Sequence, residues 1–247
     1  MRRLAVFFIL ICLLMAVSCI RTKQGNTLVS GKIEGSTGQL LKLQELGMQY
    51  STTVDSLILA SAGTFSFRIL SKDAGLYLLS LPERPPLVIE LKPGDSVAVT
   101  AETTSFPYGA VLKGSAASSD LLEFFNSTNA GRKIYDSLEN VLLSHQDDPD
   151  FALLSLKLDE SLKPLWEKQR ALEIEYLSRH LNSLTSLLVL NQGLGVNPVL
   201  TFNTDSVYFL RLDSLLNKAF PGNKHAAFHH QRIIQERAIE TMKQHSK

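Results

Sequence analysis

The chain has 247 residues, of which 45% are hydrophobic and 20% are charged, a composition typical of a globular protein and not of a disordered one. Its formal net charge of +1 leaves no basic excess that could displace counterions from phosphates, so nucleic-acid binding is disfavoured. The two cysteines, Cys12 and Cys19, both lie near the N-terminus, so the rest of the chain has no disulfide framework and no redox-active dithiol.

Residues 1–19 have the layout of a bacterial lipoprotein signal peptide. Arg2 and Arg3 form a basic start, residues 4–17 are apolar, and the small residue Ser18 directly precedes Cys19. The apolar run is too short for a bilayer core of about 30 Å, which a helix crosses with about 20 residues, so the pattern predicts cleavage and not a permanent span. This signal class implies that Cys19 becomes the first mature residue and carries acyl chains. In the alternative interpretation, an ordinary secretory signal, Cys19 is incidental.

Removal of the signal peptide leaves a chain that is still long enough for a folded core and is nearly neutral. After Cys19, 247 − 19 = 228 residues remain, and losing Arg2 and Arg3 leaves a charge balance of 23 − 24 = −1. Stable membrane attachment must therefore come from lipid, for which two acyl chains suffice. Residues 20–26 are polar and predict a tether with a reach of at most about 25 Å. Ile20 follows Cys19 where an acidic residue could stand, and resemblance to sorted lipoproteins then favours the outer membrane, facing the periplasm.

Residues 27–115 predict a domain of short strands. Apolar residues alternate with polar ones, as at Val29 and Ile33 and again at Phe65 and Phe67, and turn residues such as Pro93-Gly94 separate the runs. Alternation of this kind places one face of each strand in a core. The series predicts an antiparallel β-sandwich or a partly open barrel.

Short motifs in this domain resemble a known family. They are Gly31, Asp55-Ser56, residues 63–67, residues 92–96 and residues 113–115. Their order and spacing resemble the domain of unknown function 4369. The resemblance implies the N-terminal part of an envelope lipoprotein, which in relatives continues into a thioredoxin-like domain.

Residues 116–247 predict a helical domain, so the fold class is α+β. The apolar period changes to 3.6, Asp148 and Pro149 predict a helix start, and Pro164 predicts a kink. Further helices are predicted over residues 176–190, 205–220 and 223–245; the first two resemble the linker to the thioredoxin-like domain of the same family. The Trp-Cys-x-x-Cys motif of that domain does not occur in the sequence, so thiol–disulfide activity is not expected of this chain.

The best metal-binding candidates are His225, His229 and Glu236. On a helix these side chains share one face, and they form a chemically sensible set of ligands for zinc. The alternative is an amphipathic helix whose polar face is solvated while the opposite stripe packs inward, a stripe formed by Ala227, Ile234, Ala238 and Met242. The cations on the histidine face favour this alternative, so no metal is expected.

Two other groups of residues are candidates for function. Trp166, the single tryptophan, is predicted to lie in the core, which disfavours a sugar-stacking role. Asp-Ser-Leu occurs three times and resembles an acceptor for O-glycosylation of exported proteins, with Ser56, Ser137 and Ser214 as the acceptors. For Ser137 and Ser214 the alternative is an ordinary polar step on a helix.

No motif indicates a catalytic residue or a cofactor, and an enzyme is not expected. The sequence predicts a lipid-anchored, non-catalytic envelope protein that binds or scaffolds near the membrane. Two alternatives remain open: an accessory subunit for a separate thioredoxin-like protein of the periplasm, and a truncated remnant of a fused oxidoreductase.

Overall fold

The computed structural model of the protein describes residues 25–245, so the predicted lipidation of Cys19 lies outside the described residues. The fold is α+β, as predicted, with strands first and helices after them. The strands are β1 Thr27–Glu34, β2 Leu40–Leu46, β3 Ser51–Ile58, β4 Thr64–Ile69, β5 Gly75–Ser80, β6 Leu87–Leu91, β7 Ser96–Glu102 and β8 Val111–Lys113. The helices are α1 Ala116–Ser144, α2 Phe151–His180, α3 Thr185–Leu190, α4 Phe202–Ala219 and α5 Lys224–His245, with a short hairpin of β9 Gly193–Leu194 and β10 Asn197–Pro198 between α3 and α4.

The eight strands form two open four-stranded sheets and no closed barrel. The first sheet has the order β4-β1-β7-β8 and the second has the order β3-β2-β5-β6. The pair β1 and β7 is parallel, so the prediction of a wholly antiparallel sandwich is wrong for this pair. Parallel neighbours need a long connection, and here the chain builds the second sheet between them. Gly31 permits the pairing, since a Cβ there would lie 1.8 Å from the carbonyl oxygen of Val99.

The sandwich core comes from the alternating residues that the sequence indicates. Val29, Ile33, Phe67, Ile89 and Val99 are all buried between the sheets. Their polar neighbours on the first sheet are exposed or half-buried, which gives the expected one-sided pattern. This half of the fold therefore follows directly from the period of two.

The helices cover the outer face of the second sheet. Leu76 of β5 belongs to the helical core together with Leu177 of α2 and Leu212 of α4, whereas Leu122 of α1 belongs to the sandwich core. Strands β5 and β6 of the second sheet are consequently buried on both faces, whereas the edge strand β3 is mostly exposed. The predicted boundary at residues 115 and 116 separates strands from helices in the chain, but the two hydrophobic cores interlock across it.

Helices α2 and α3 differ from the prediction in their boundaries. The second helix begins at Phe151, because residues 148–150 form a turn before it. It continues through Pro164, an exposed position where the carbonyl freed by the missing N–H can bond to water. The helix predicted over residues 176–190 is two helices, since α2 ends at His180 and α3 begins at Thr185. Within the described residues, no helix is both long and apolar enough to cross a membrane.

Candidate functional site

A buried carboxylate, Glu90 of β6, lies where the sheet meets the helices. Its Oε2 accepts hydrogen bonds from the Ser183 hydroxyl and from the backbone N–H of Thr185 at 3.3 Å. Its backbone is held as well, because its N–H donates to Ser118 Oγ at 2.9 Å and its carbonyl accepts from Ser115 Oγ at 3.2 Å. Glu90 therefore joins β6 to the start of α1 and to the connection between α2 and α3.

Hydroxyl groups extend this cluster toward α2. Thr185 Oγ1 lies 2.6 Å from Ser183 Oγ and 2.8 Å from the Tyr176 hydroxyl. The Tyr176 ring stacks on His180 with centroids 4.3 Å apart, and His180 Nε2 lies 3.4 Å from Asp120 Oδ2 without hydrogen-bond geometry. Burial lowers the pKa of His180 although Asp120 favours the protonated ring, so the ring is neutral at neutral pH.

The chemistry of this cluster is structural. A serine nucleophile needs an adjacent base and access to a substrate, and Ser183 has a carboxylate neighbour but is itself buried. Neither Ser183 nor Glu90 lines any of five cavities in the described part of the chain. The hydroxyls bond to one another and to Glu90 Oε2, whereas Glu90 Oε1 is buried with only Lys92 Nζ nearby, at 3.6 Å. These contacts fix the junction of the second sheet and the helices.

A second polar cluster holds α2 against the start of α4. Arg170 donates to the buried carboxylate of Asp205, which also accepts from the Thr201 N–H at 3.0 Å and from the Thr204 hydroxyl at 2.6 Å. Burial raises the pKa of Asp205, but the hydrogen bond from Arg170 and those from Thr204 and Thr201 outweigh it, so the net pKa is lowered. Asp205 is accordingly ionised in the folded protein. The backbone of Asp205 is not helical (φ −127°, ψ 21°), so α4 has a kink there, between a first turn from Phe202 and the helix that the sequence predicts from residue 205.

Glu173 lies on α2, one turn beyond Arg170, and its pKa is shifted in the opposite direction to that of Asp205. Burial raises its pKa to about 8, despite the hydrogen bond that Gln169 donates to Oε1 at 2.9 Å. Its Oε2 is buried and has no hydrogen-bond partner among the described residues. At neutral pH this carboxyl is therefore mainly protonated.

The predicted orientation of the last helix is wrong. His225 and His229 point inward and are buried, whereas the residues of the predicted inner stripe are exposed, namely Ala227, Ile234, Ala238 and Met242. His229 Nε2 lies 3.2 Å from the Phe209 carbonyl of α4 and must donate to it, because a carbonyl only accepts. Burial lowers the pKa of both rings. The helix packs against α4 and the second sheet with this histidine face. Imidazole rings therefore occupy the buried side of the helix, where the sequence pattern predicts apolar side chains.

The structure does not bring the three metal candidates into a ligand set. Glu236 is half-buried on α5, in the wall of a cavity that His229 shares and His225 does not. Across the described residues, no group of three His, Cys, Asp or Glu side chains could hold a metal ion. His229 is already engaged with Phe209. His225 faces the end of β2 from α5, is 4% exposed, and its Nε2 has no hydrogen-bond partner among the described residues.

Trp166 is half-buried and not a core residue, contrary to the prediction. It lines a cavity of about 370 Å³ between α1 and α2 together with Tyr135, Leu162 and Leu194. The β9–β10 hairpin contributes Leu194 and Asn197 to the wall of this cavity. Its apolar wall gives the helical domain one of its concave surfaces.

Ser56, Ser137 and Ser214, the predicted acceptors for O-glycosylation, are all exposed. Ser56 lies on β3, at the edge of the second sheet, and the other two lie on α1 and α4. The three hydroxyls lie on separate elements, so each would be modified independently. Whether any carries a glycan stays a prediction.

A groove opens where the strands meet α1. Its volume is about 180 Å³, and its apolar wall and few polar side chains are contributed by Pro85, Pro86, Leu87, Val88, Pro107, Tyr108, Leu121, Leu122, Phe125, Asn129 and Arg132. Arg132 is held at one end by a hydrogen bond to Gln192 Oε1 at 2.8 Å. A concave apolar surface with a few fixed polar groups is the usual form of a binding site. Sequence reasoning missed it because its residues come from three separate segments that only the fold brings together.

Comparison with known proteins leaves this site to be interpreted from its own geometry. No family model, curated protein or solved structure matches the chain. The resemblance to the domain of unknown function 4369 therefore stays a prediction.

Proposed function

We propose that this chain is a lipid-anchored, non-catalytic protein of the cell envelope that binds a partner close to the membrane. The groove between the strands and α1 is the observation that carries the binding role. It is open and apolar, whereas the carboxylates and hydroxyls around Glu90 and Asp205 are buried and bonded to one another. The anchoring is supported by residues 1–19, whose pattern predicts acylation of Cys19 in the outer membrane with the fold facing the periplasm.

The groove suits an extended or apolar segment of another protein. Three prolines in its wall are rigid and carry no backbone N–H, so that wall offers apolar surface without unpaired donors. Tyr108 is 36% exposed and presents a ring and a hydroxyl at the rim. Arg132, held by Gln192, can donate to a carboxylate or a carbonyl of the partner at the other end.

The anchor is tested on native protein purified from envelopes. We expect mass spectrometry to find Cys19 as the first residue with acyl chains attached, and we expect the protein to float with lipid vesicles in a density gradient. An unmodified Cys19, or release of the protein by a detergent-free wash, contradicts the proposed anchoring.

The binding role predicts a specific effect of one substitution in the groove. Tyr108→Ser removes an aromatic side chain from the rim, and an interface aromatic of this kind contributes about 1–2 kcal/mol, which lowers affinity about tenfold. The measurement is quantitative capture of envelope proteins by the intact chain and by the variant. Tyr50→Ser is the matched control, because Tyr50 is 73% exposed in the turn after β2 and away from the groove.

The identity of the captured protein distinguishes between binding roles. A protein with a Cys-x-x-Cys motif that is lost with Tyr108→Ser supports the accessory role in a thioredoxin-like system. Equal capture by Tyr108→Ser, by Tyr50→Ser and by the parent chain contradicts the groove as the binding surface.

A further inference from the structure

The first described residues of the chain and several exposed cations lie at one end of the sandwich. We call it the basal end and define it by Gly25 and Asn26, by the loops 70–74 and 92–95, and by the loop 220–223 between α4 and α5. Asn26 Nδ2 donates to the Ser71 carbonyl at 2.8 Å, and the Leu28 N–H donates to the Asp95 carbonyl at 2.8 Å. Asn223 Nδ2 donates to the Ala74 carbonyl at 2.6 Å, which brings the helical loop to the same end.

The strand directions explain why these segments meet. β1 and β7 are parallel and both begin at the basal end, while β4 and β8 run antiparallel to them and finish there. Thr27 is bonded to the loop 92–95 at two points, since its hydroxyl donates to the Lys92 carbonyl at 3.2 Å and accepts from the Gly94 N–H at 3.3 Å. The first described residues of the chain are thus bonded to the loops around them.

The surface of the basal end combines an exposed apolar side chain with cations. Leu70 is 68% exposed, although it directly follows the strand β4. Arg68 and Lys72 are exposed two positions before and after it, and Asp73 is an exposed carboxylate next to Lys72. Lys113 is exposed at the end of β8, on the opposite edge of the same sheet. Two further charges are already engaged, because Lys92 lies 3.6 Å from Glu90 Oε1 and Asp95 Oδ2 accepts from the Lys92 N–H at 2.7 Å.

We propose that the basal end is a membrane-docking surface that rests on anionic phospholipid headgroups. The inference rests on the proposed lipid anchor at Cys19. The residues from 19 to 25 span at most about 22 Å, so an anchored chain holds the basal end within that distance of the bilayer. At this range, exposed Lys and Arg side chains are attracted to anionic lipid, and Leu70 can enter the interfacial region.

The test measures which end of the anchored protein touches lipid. The chain has cysteines only at positions 12 and 19, so a cysteine introduced at position 70 in the acylated protein takes a thiol-reactive fluorophore alone. Leu70→Cys and the control Val196→Cys are labelled and reconstituted in vesicles of phosphatidylethanolamine and phosphatidylglycerol that contain a brominated lipid quencher. Val196 is 89% exposed and follows Gly195, which lies beside Tyr135, roughly 28 Å along α1 from its first residue.

Quenching at position 70 is expected to be strong and that at position 196 weak. Replacing Arg68, Lys72 and Lys113 by Gln is expected to shift the equilibrium from docked to undocked protein by about fivefold per cation removed. The matched control replaces Lys157, Lys163 and Lys168 on α2 by Gln, which removes the same charge from an exposed helix far from the basal end and leaves the quenching unchanged.

The outcomes separate this inference from the proposed function. A protein that does not float with vesicles contradicts the anchor itself and with it the docking. A protein that floats but shows equal quenching at positions 70 and 196 overturns the docking surface alone. Quenching at position 70 that persists in vesicles of phosphatidylcholine alone overturns the role of anionic lipid.

Discussion

Replacing Glu90 with alanine is expected to lower the free energy of unfolding by about 3 kcal/mol. The substitution removes the shared acceptor of the Thr185 N–H and the Ser183 hydroxyl from a buried site and leaves these groups only each other, with the Thr185 N–H 3.2 Å from Ser183 Oγ. A buried donor that loses its acceptor costs about 1–3 kcal/mol. The missing side chain also leaves a cavity, since Glu90 is only 2% exposed. Urea denaturation of the variant and the parent at neutral pH measures the difference.

Two further variants show what the carboxylate contributes. Glu90→Gln keeps an oxygen that can accept from Ser183 and Thr185, so a loss below about 1 kcal/mol is expected. Glu175→Ala removes an exposed carboxylate whose ion pair with Arg179 contributes little, and serves as the surface control. A loss below about 1 kcal/mol for Glu90→Ala contradicts the structural role of the cluster, and an equally large loss for Glu90→Gln would assign that role to the charge instead.

The position of Glu90 also shows how far the sequence predicts this fold. A period of two correctly identifies the strands and the residues between the two sheets, such as Val29 and Ile89. The same period assigns Glu90 to the outer face of its strand and hence to water. Only the packing of α1 and α3 over that face buries it, and no local pattern in the sequence reports its contact with Ser183, which lies 93 positions later.

In the last helix, α5, the sequence likewise predicts the local structure but not which residues are buried. Its predicted bounds are close to Lys224–His245, because caps and periodicity are local signals. The predicted orientation is wrong, because hydrophobicity assigns the apolar stripe to the inner face, whereas the structure buries His225 and His229 there. Imidazole is polar in a sequence pattern but packs well when its hydrogen bonds are met, as that of His229 is by Phe209. The groove beside α1 was unpredictable for the reason that applies to Glu90, because its walls come from distant segments.

Replacing Glu173 with glutamine is expected to remove most of the pH dependence of stability between pH 6.5 and 8. In the folded protein the pKa of Glu173 is about 8, and in the unfolded chain it has the ordinary value of 4.5. A carboxyl with a raised folded pKa stabilises the fold fully below its unfolded pKa and loses this contribution as the pH rises toward the folded pKa. The parent should therefore lose about 3 kcal/mol of stability from pH 5 to pH 8 through this group alone.

The two curves of stability against pH are expected to cross. At pH 5 the parent should be the more stable protein, because a protonated carboxyl fits the site and the glutamine amide adds a buried N–H that needs an acceptor. At pH 8 the variant should be more stable, since it carries no buried charge beside Asp205. Urea denaturation at pH 5, 6.5 and 8 measures both curves.

Asp205 and the buried histidines do not produce the same slope. The lowered pKa of Asp205 means that its contribution is lost only as the pH falls through the acid range. Because the pKa values of His225 and His229 are lowered, their contribution is complete above the ordinary histidine pKa of about 6.5 and declines as the pH falls below it. Both effects make the protein more stable at higher pH, opposite in sign to Glu173. A parent and a Glu173→Gln variant with parallel curves from pH 6.5 to pH 8 would show that Glu173 is ionised in the fold.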